Sequence, residues 1–222
     1  MYTFLTGGAG VGKSQVLKAL YNALLNTILA SLEAIQMILT FFLWHQQAKQ
    51  HYGIKGNTIH SALLIPASQG FHYKALTSDK STELKFRNLK IIFIDEISMV
   101  GNGMLTFIDK RLQQIMGSKK IFGGVSIIAV GDLFQLKPVF DGWIFNDLTE
   151  DYGPLASNLW KDHFMAFELT EIMRQKHDQS FAQLLNRLRE GNQTDDDLRL
   201  LNTRQCTVDK FHQMLHMFIK PT

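Results

Sequence analysis

The chain has a single cysteine, Cys206. It cannot close an internal disulfide, which excludes a disulfide-built scaffold and points to a reducing compartment. Long apolar runs are also missing. The most apolar stretch, Ile35–Trp44, is about half of the ~20 residues a membrane-spanning helix needs. The opening residues MYTFLTGG carry no basic n-region, so no secretory signal is read. There is no internal repeat and no low-complexity tract. With 45% hydrophobic and 19% charged residues, disorder is excluded for the bulk of the chain. A length of 222 residues suits one domain or slightly more. The expectation is an intracellular protein with no membrane partner.

Charge is unevenly spread. Residues 1–90 hold 9 Lys/Arg against 3 Asp/Glu, whereas residues 91–222 hold 14 against 17. A basic first part is compatible with a polyanionic partner and equally with an ordinary solvated surface.

Apolar periodicity gives the fold class. Tyr2–Thr6 reads as a strand, Gly7–Gly12 as a glycine loop, and Ser14–Asn26 as a helix with Val16, Leu17, Leu20, Leu24 and Leu25 at helical spacing. The continuous runs Ile91–Ile94 and Val125–Val130 suit strands buried on both faces, as in a parallel sheet. Met104–Met116, Ser180–Arg189 and Asp195–Leu201 read as helices, Phe164–Leu169 as a further strand, and residues 66–90 as a polar insertion. Strands alternating with helices predict an α/β domain with a mostly parallel sheet.

Gly7-Gly8-Ala9-Gly10-Val11-Gly12-Lys13-Ser14 matches G-x-x-x-x-G-K-[ST] in full, between a strand and a helix. Glycines let backbone N–H groups turn inward around phosphate oxygens. Lys13 adds a cation at the β- and γ-phosphates, and Ser14 offers a hydroxyl to Mg²⁺. Asp95-Glu96 ends the run IIFI; such an acid can hold the same metal, and its neighbour can polarise an attacking water. Gln135, beyond the run VSIIAV, is a candidate contact to the γ-phosphate, and so is Arg174; taken alone, an ordinary strand-to-loop exit and a surface arginine are the better readings. His212 and His216 lie four apart but lack a further ligand. Trp143 and Trp160 read as core residues.

Together GGAGVGKS, DEISMV (Asp95–Val100), GDLFQLKPV (Gly131–Val139) and LTEIMRQ (Leu169–Gln175) resemble, in that order, the Pif-type 5′-to-3′ DNA helicases of superfamily one, and most of all the helicase region of Helitron-type transposable elements. The resemblance covers Tyr2 to about Arg204. It implies a RecA-like P-loop NTPase fold, with ATP and Mg²⁺ as cofactors and single-stranded DNA as partner. It implies a nuclear or mitochondrial address and roles in DNA repair, recombination and telomere maintenance. By the same resemblance Lys13 and Ser14 bind phosphate and Mg²⁺, Asp95 takes Mg²⁺, and Glu96 is the base. Gln135 and Arg174 sense the γ-phosphate, and Thr58 and His60, in Asn57–Ala62, touch the DNA backbone. Residues 1–205 are then expected to form the first of two motor domains and 206–222 to start the second. The family's adenine-reading segment would lie before Met1, and unwinding is not expected from this chain alone. The rival readings are a decayed, non-enzymatic nucleotide-binding remnant and a P-loop ATPase or kinase unrelated to DNA, although a kinase's arginine-rich lid is not found.

One departure from the family is internal. The family places A-P-T-G-K-A-A before a stretch like Tyr52–His60, where this chain has Trp44–His51, WHQQAKQH. Trp is encoded by TGG, His by CA plus a pyrimidine and Gln by CA plus a purine. Reading from the third base of the Trp codon forces Ala and then permits Pro, Thr, Gly, Lys, Ala and Ala. The expectation is a frameshift or misjoined exon across roughly Phe41–His51.

Overall fold

The computed structural model describes residues 1–29, 38–42, 57–65, 75, 86, 88–147, 158–173 and 179–203. The chain forms two compact units, Met1–Arg174 and Gln175–Thr222.

The first unit is built on five parallel strands: β1 (Tyr2–Gly7), β2 (Ile38–Phe42), β3 (Ile91–Asp95), β4 (Ser126–Val130) and β5 (Met165–Leu169). Their spatial order is β2-β3-β4-β1-β5. The predicted α/β class with a parallel sheet is what forms. The strand after the glycine loop, β2, lies inside the apolar stretch Ile35–Trp44, where no strand is predicted from periodicity.

Alternation along the strands explains why their sequences are apolar throughout. Phe4, Ile92, Ile94, Ile127 and Ala129 belong to one buried cluster, together with Ile59, Leu63, Leu105, Ile108 and Leu112. Those helical residues come from α2 (Ile59–Leu63) and α3 (Asn102–Met116). Leu5, Phe93, Ile128 and Val130 belong to a second cluster with Leu17 of α1 (Lys13–Leu29), against which Val16, Tyr21 and Leu24 pack. Successive strand residues point to opposite faces, so a strand covered by helices on both sides has no polar position to spare. Burying each such side chain fully is worth about 1.5–3 kcal/mol. Leu20, predicted on the apolar stripe of α1, instead faces solvent. Trp160 of α4 (Leu159–His163) is core and stacks on Phe164, as predicted, while Trp143 is half-buried and stacks on Phe145.

Most of the predicted polar insertion, residues 66–90, lies outside the described residues. Phe86 and Leu89 within it are buried in the core. Among the described residues no helix is long and apolar enough to cross a membrane.

In the second unit, α5 (Gln179–Glu190) and α6 (Asp195–Asn202) flank a turn at Gly191. Thr194 and Asp197 form a capping box, and the same Asp197 receives both Nε and Nη2 of Arg187, at 2.7 and 2.6 Å. This two-pronged bond, with Thr194 adding to it, holds the Asp197 carboxyl well below the usual range. His212 and His216 lie outside the described residues.

Candidate functional site

Parallel strands bring their carboxyl ends to one edge of the sheet. Register fixes the neighbours there: Gly7 sits beside Leu169, Leu5 beside Val130, and Phe42 beside Asp95. The glycine loop, the acid pair and the Gly131–Gln135 segment therefore leave the same edge, which is where ligands bind in open α/β sheets. Strand β4 lies between the strand that carries the loop and the strand that carries the acid.

The loop begins at Gly7, whose φ is +145°. A Cβ there would run into the carbonyl oxygen of Leu169 and come within 2.8 Å of Val11 Cγ2. Only glycine permits both the dihedral and the approach to β5. Gly10 and Gly12 also have positive φ, at 79° and 90°, so the backbone curls before α1 begins. The amides of Gln15 and Val16 donate to the Gly12 carbonyl at 2.9 and 3.1 Å. Lys13 Nζ folds over this curl and donates to the carbonyls of Gly7 and Gly8, at 2.8 and 3.1 Å. Ser14, half-buried, stands in the first turn of α1, where helical N–H groups and the positive dipole end favour an anion. Ala9 is exposed at the loop's crest, and Gly8 and Val11 are buried beneath it.

Asp95 closes β3. Burial pushes its carboxyl up to about 6 and the neighbouring Glu96 adds to this, while the Glu96 amide, bonded to Oδ1 at 3.0 Å, and Lys13 oppose it. Lys13 and Asp95, more than eighty residues apart in sequence, thus feel one another's charge. Glu96 is exposed and holds a left-handed backbone, φ 52° and ψ 45°. For a residue with a Cβ this costs of order 1 kcal/mol and clusters at functional sites. Gly131, at the tip of β4, packs against that turn: a Cβ on it would lie 2.9 Å from the Ile97 amide nitrogen.

Gln135 is exposed on the loop after β4. Its amide donates to the Asp132 carbonyl at 3.0 Å, and its Nε2 lies 3.5 Å from Asp132 Oδ2. Asp132 is fully buried and also accepts the Phe134 amide at 3.1 Å. Asp132 is not among the residues singled out in the sequence, although the spacing D-x-x-Q places both side chains in one turn. Arg174 lies outside the described residues.

Thr58 and His60 sit at α2. Thr58 is its N-cap, with Oγ1 accepting the Ser61 amide at 3.2 Å. Thr58 is exposed; His60 is half-buried, and burial lowers its pKa. The segment Trp44–His51 lies outside the described residues.

The donor set at the sheet edge fits a nucleoside triphosphate with a divalent cation. It offers a backbone cradle closed to any Cβ at Gly7, an ammonium, a hydroxyl and a strand-tip carboxylate. Among the described residues no cluster of three or more His, Cys, Asp or Glu could hold a metal by itself. A hydroxyl and a carboxylate are the kind of one or two protein oxygens through which Mg²⁺ is held beside the phosphates themselves.

The parallel sheet, the glycine loop on its β1 and the acid on β3 define a RecA-like P-loop domain. The sequence model of the PIF1-like helicase family matches residues 1–199. The chain is 31% identical over 205 residues to the ATP-dependent DNA helicase PIF1 of Candida albicans, covering 88% of this chain and 22% of that protein. Among solved structures it resembles Bacteroides Pif1 bound to single-stranded DNA, with 28% identity, a TM-score of 0.71, and 93% and 46% of the two chains covered. It also resembles Bacteroides Pif1 in complex with ADP-AlF3 and single-stranded DNA, with 29% identity, a TM-score of 0.67, and 92% and 47% covered. The chain belongs to the PIF1-like helicase family. It spans about a fifth of the Candida relative and under half of each Bacteroides chain.

Proposed function

We propose that this chain is the first motor domain of an ATP-dependent 5′-to-3′ DNA helicase, in which ATP hydrolysis drives movement along single-stranded DNA. The observation that carries the reading is the glycine loop, with Lys13 Nζ folded onto the Gly7 and Gly8 carbonyls, leaving the same edge of the parallel sheet as Asp95 at the tip of β3. The relatives solved with single-stranded DNA and ADP-AlF3 support the choice of ligands.

In this reading the amides of Gly8–Gly12 and the first turn of α1 bind the phosphates, and Lys13 trades its two loop carbonyls for phosphate oxygens. Ser14 and Asp95 hold Mg²⁺, which when bound supplies charge neutralisation at the transferring phosphoryl group. Glu96 orients the attacking water and accepts its proton. Gln135 and Arg174 contact the γ-phosphate. Thr58 offers its hydroxyl proton, and His60 its ring N–H, to the DNA backbone. Roles in DNA repair, recombination and telomere maintenance, a nuclear or mitochondrial address and a Helitron-type origin belong to the same proposal, carried by the motifs alone.

The test is a titration of MgATP into wild type and Lys13→Ala. Loss of the lysine–phosphate bonds should weaken binding about tenfold or more. Equal affinities overturn the reading. Binding with no hydrolysis, even with single-stranded DNA and a second motor domain supplied, would instead favour a nucleotide-binding remnant.

A further inference from the structure

Two loops at the sheet edge carry Glu96 and Gln135, and they are joined twice. The first join is Gly131 packed on the Ile97 amide. The second lies farther out. Helix α3 follows the acid loop and begins after Gly101, an N-cap with no side chain to offer its orphan amides. Asp141, on the loop that carries Gln135, supplies the cap from a distance. Its carboxylate accepts the Met104 amide at 2.9 Å and the Gly103 amide at 3.2 Å, and its own neighbour Gly142 at 2.8 Å. Asn102 tightens the same seam: its amide donates to the Gly142 carbonyl at 3.2 Å, and its Nδ2 reaches the carbonyls of Asn146 and Asp147, at 3.1 and 3.2 Å. A Cβ on Gly101 would strike the Asp141 carboxylate and the Gly142 carbonyl, so glycine there admits the clamp.

Between the buried Asp132 and the half-buried Asp141, most of the loop is exposed, with Pro138 the buried exception. Phe134, Leu136, Val139 and Phe140 are all exposed, and Phe140 takes a positive φ of 58° just before the clamp. Gln135, itself exposed, thus sits on a loop with two polar anchors. One anchor is the Asp132 turn; the other is the charge of Asp141 on the amides of α3.

We infer that Asp141 is a positioning residue for γ-phosphate recognition: by capping α3 in trans it holds the Gln135 loop in register with the Asp95-Glu96 loop. The inference rests on the proposed ATP reading and adds to it a residue that touches neither nucleotide nor metal.

The test compares the affinities of wild type, Gln135→Ala, Asp141→Ala and Asp141→Asn for MgADP and for a non-hydrolysable ATP analogue. Lys13→Ala serves as the control for the phosphate loop. Wild type should prefer the triphosphate about tenfold, the value of one well-placed bond to a charged group. Gln135→Ala and Asp141→Ala should both lose that preference while binding MgADP as wild type does. Asp141→Asn keeps one acceptor oxygen for the Met104 amide and should retain part of it. Three results overturn the inference: Asp141→Ala keeps the full preference, Asp141→Ala weakens MgADP equally and so acts only on the fold, or wild type shows no preference at all. Failure of the ATP reading itself looks different, because wild type and Lys13→Ala would then bind MgADP alike.

Discussion

The Met173 amide donates to the Gly10 carbonyl at 2.9 Å. The segment leaving β5 is therefore tied to the crest of the phosphate loop one residue before Arg174. The proposed γ-phosphate contact of the next residue in sequence gives the first prediction. Arg174→Ala is expected to weaken binding of a triphosphate analogue about tenfold or more while leaving MgADP unchanged. Arg174→Lys should not restore it, since a guanidinium's paired donors are lost. Calorimetric titration with both nucleotides checks this.

Asp95 links the site to stability. Its folded pKa of about 6 lies above the ordinary carboxyl value of 3.8. The folded chain then binds more protons than the unfolded one between those values, and stability falls as pH rises through that window. Above it, the charged Asp95 costs up to about 3 kcal/mol. In metal-free buffer Asp95→Asn should melt higher than wild type at about pH 8, and the gap should close toward pH 4. A gap of the same size at both ends would show that the carboxyl is not strained by burial. Added Mg²⁺ should raise the melting temperature of wild type more than that of Asp95→Asn.

A further prediction concerns DNA and the segment that follows β2 in sequence. Its first residues follow Phe42, beside Asp95, and Trp44–His51 places Gln, His and Trp where the family carries small residues and a glycine. Replacing Trp44–His51 by the shifted reading Ala-Pro-Thr-Gly-Lys-Ala-Ala should tighten single-stranded DNA binding. The gain should shrink as salt rises, because phosphate contacts release counterions. Fluorescence anisotropy at two salt concentrations decides; no gain at low salt removes the claimed cost of the present sequence.

The site's first layer is legible in the sequence because local chemistry dictates it. A loop that must curl under phosphates needs Gly7, Gly10 and Gly12 in fixed order, and strands buried on both faces cannot hide their apolar runs. Helix ends fall within a few residues of expectation for α1, α3, α5 and α6. Strand β2 is not legible: ILTFF sits in a longer apolar stretch with no period and no turn signal to bound it. Phe86 and Leu89 look like members of a polar insertion because their burial depends on where the sheet lies, not on their neighbours in sequence. The Asp141 cap on α3 is silent for the same reason. It joins residues 37 and 38 positions apart, and Gly101, read locally, is only a helix start without a cap.

Of the five strands of this sheet, β1 comes earliest in sequence and is completed last. Its partners are Ile127–Val130 on one side and Met165–Leu169 on the other, so β1 leaves the ribosome well before either neighbour exists. Until Leu169 is synthesised, Gly7 has no wall to press against and the loop above it no fixed curvature. Closing such distant pairs is slow, because the chain loses its freedom before the contacts repay it. A nascent chain halted before β5 would display the whole signature from Gly7 to Ser14 and still lack the wall on which Gly7 packs.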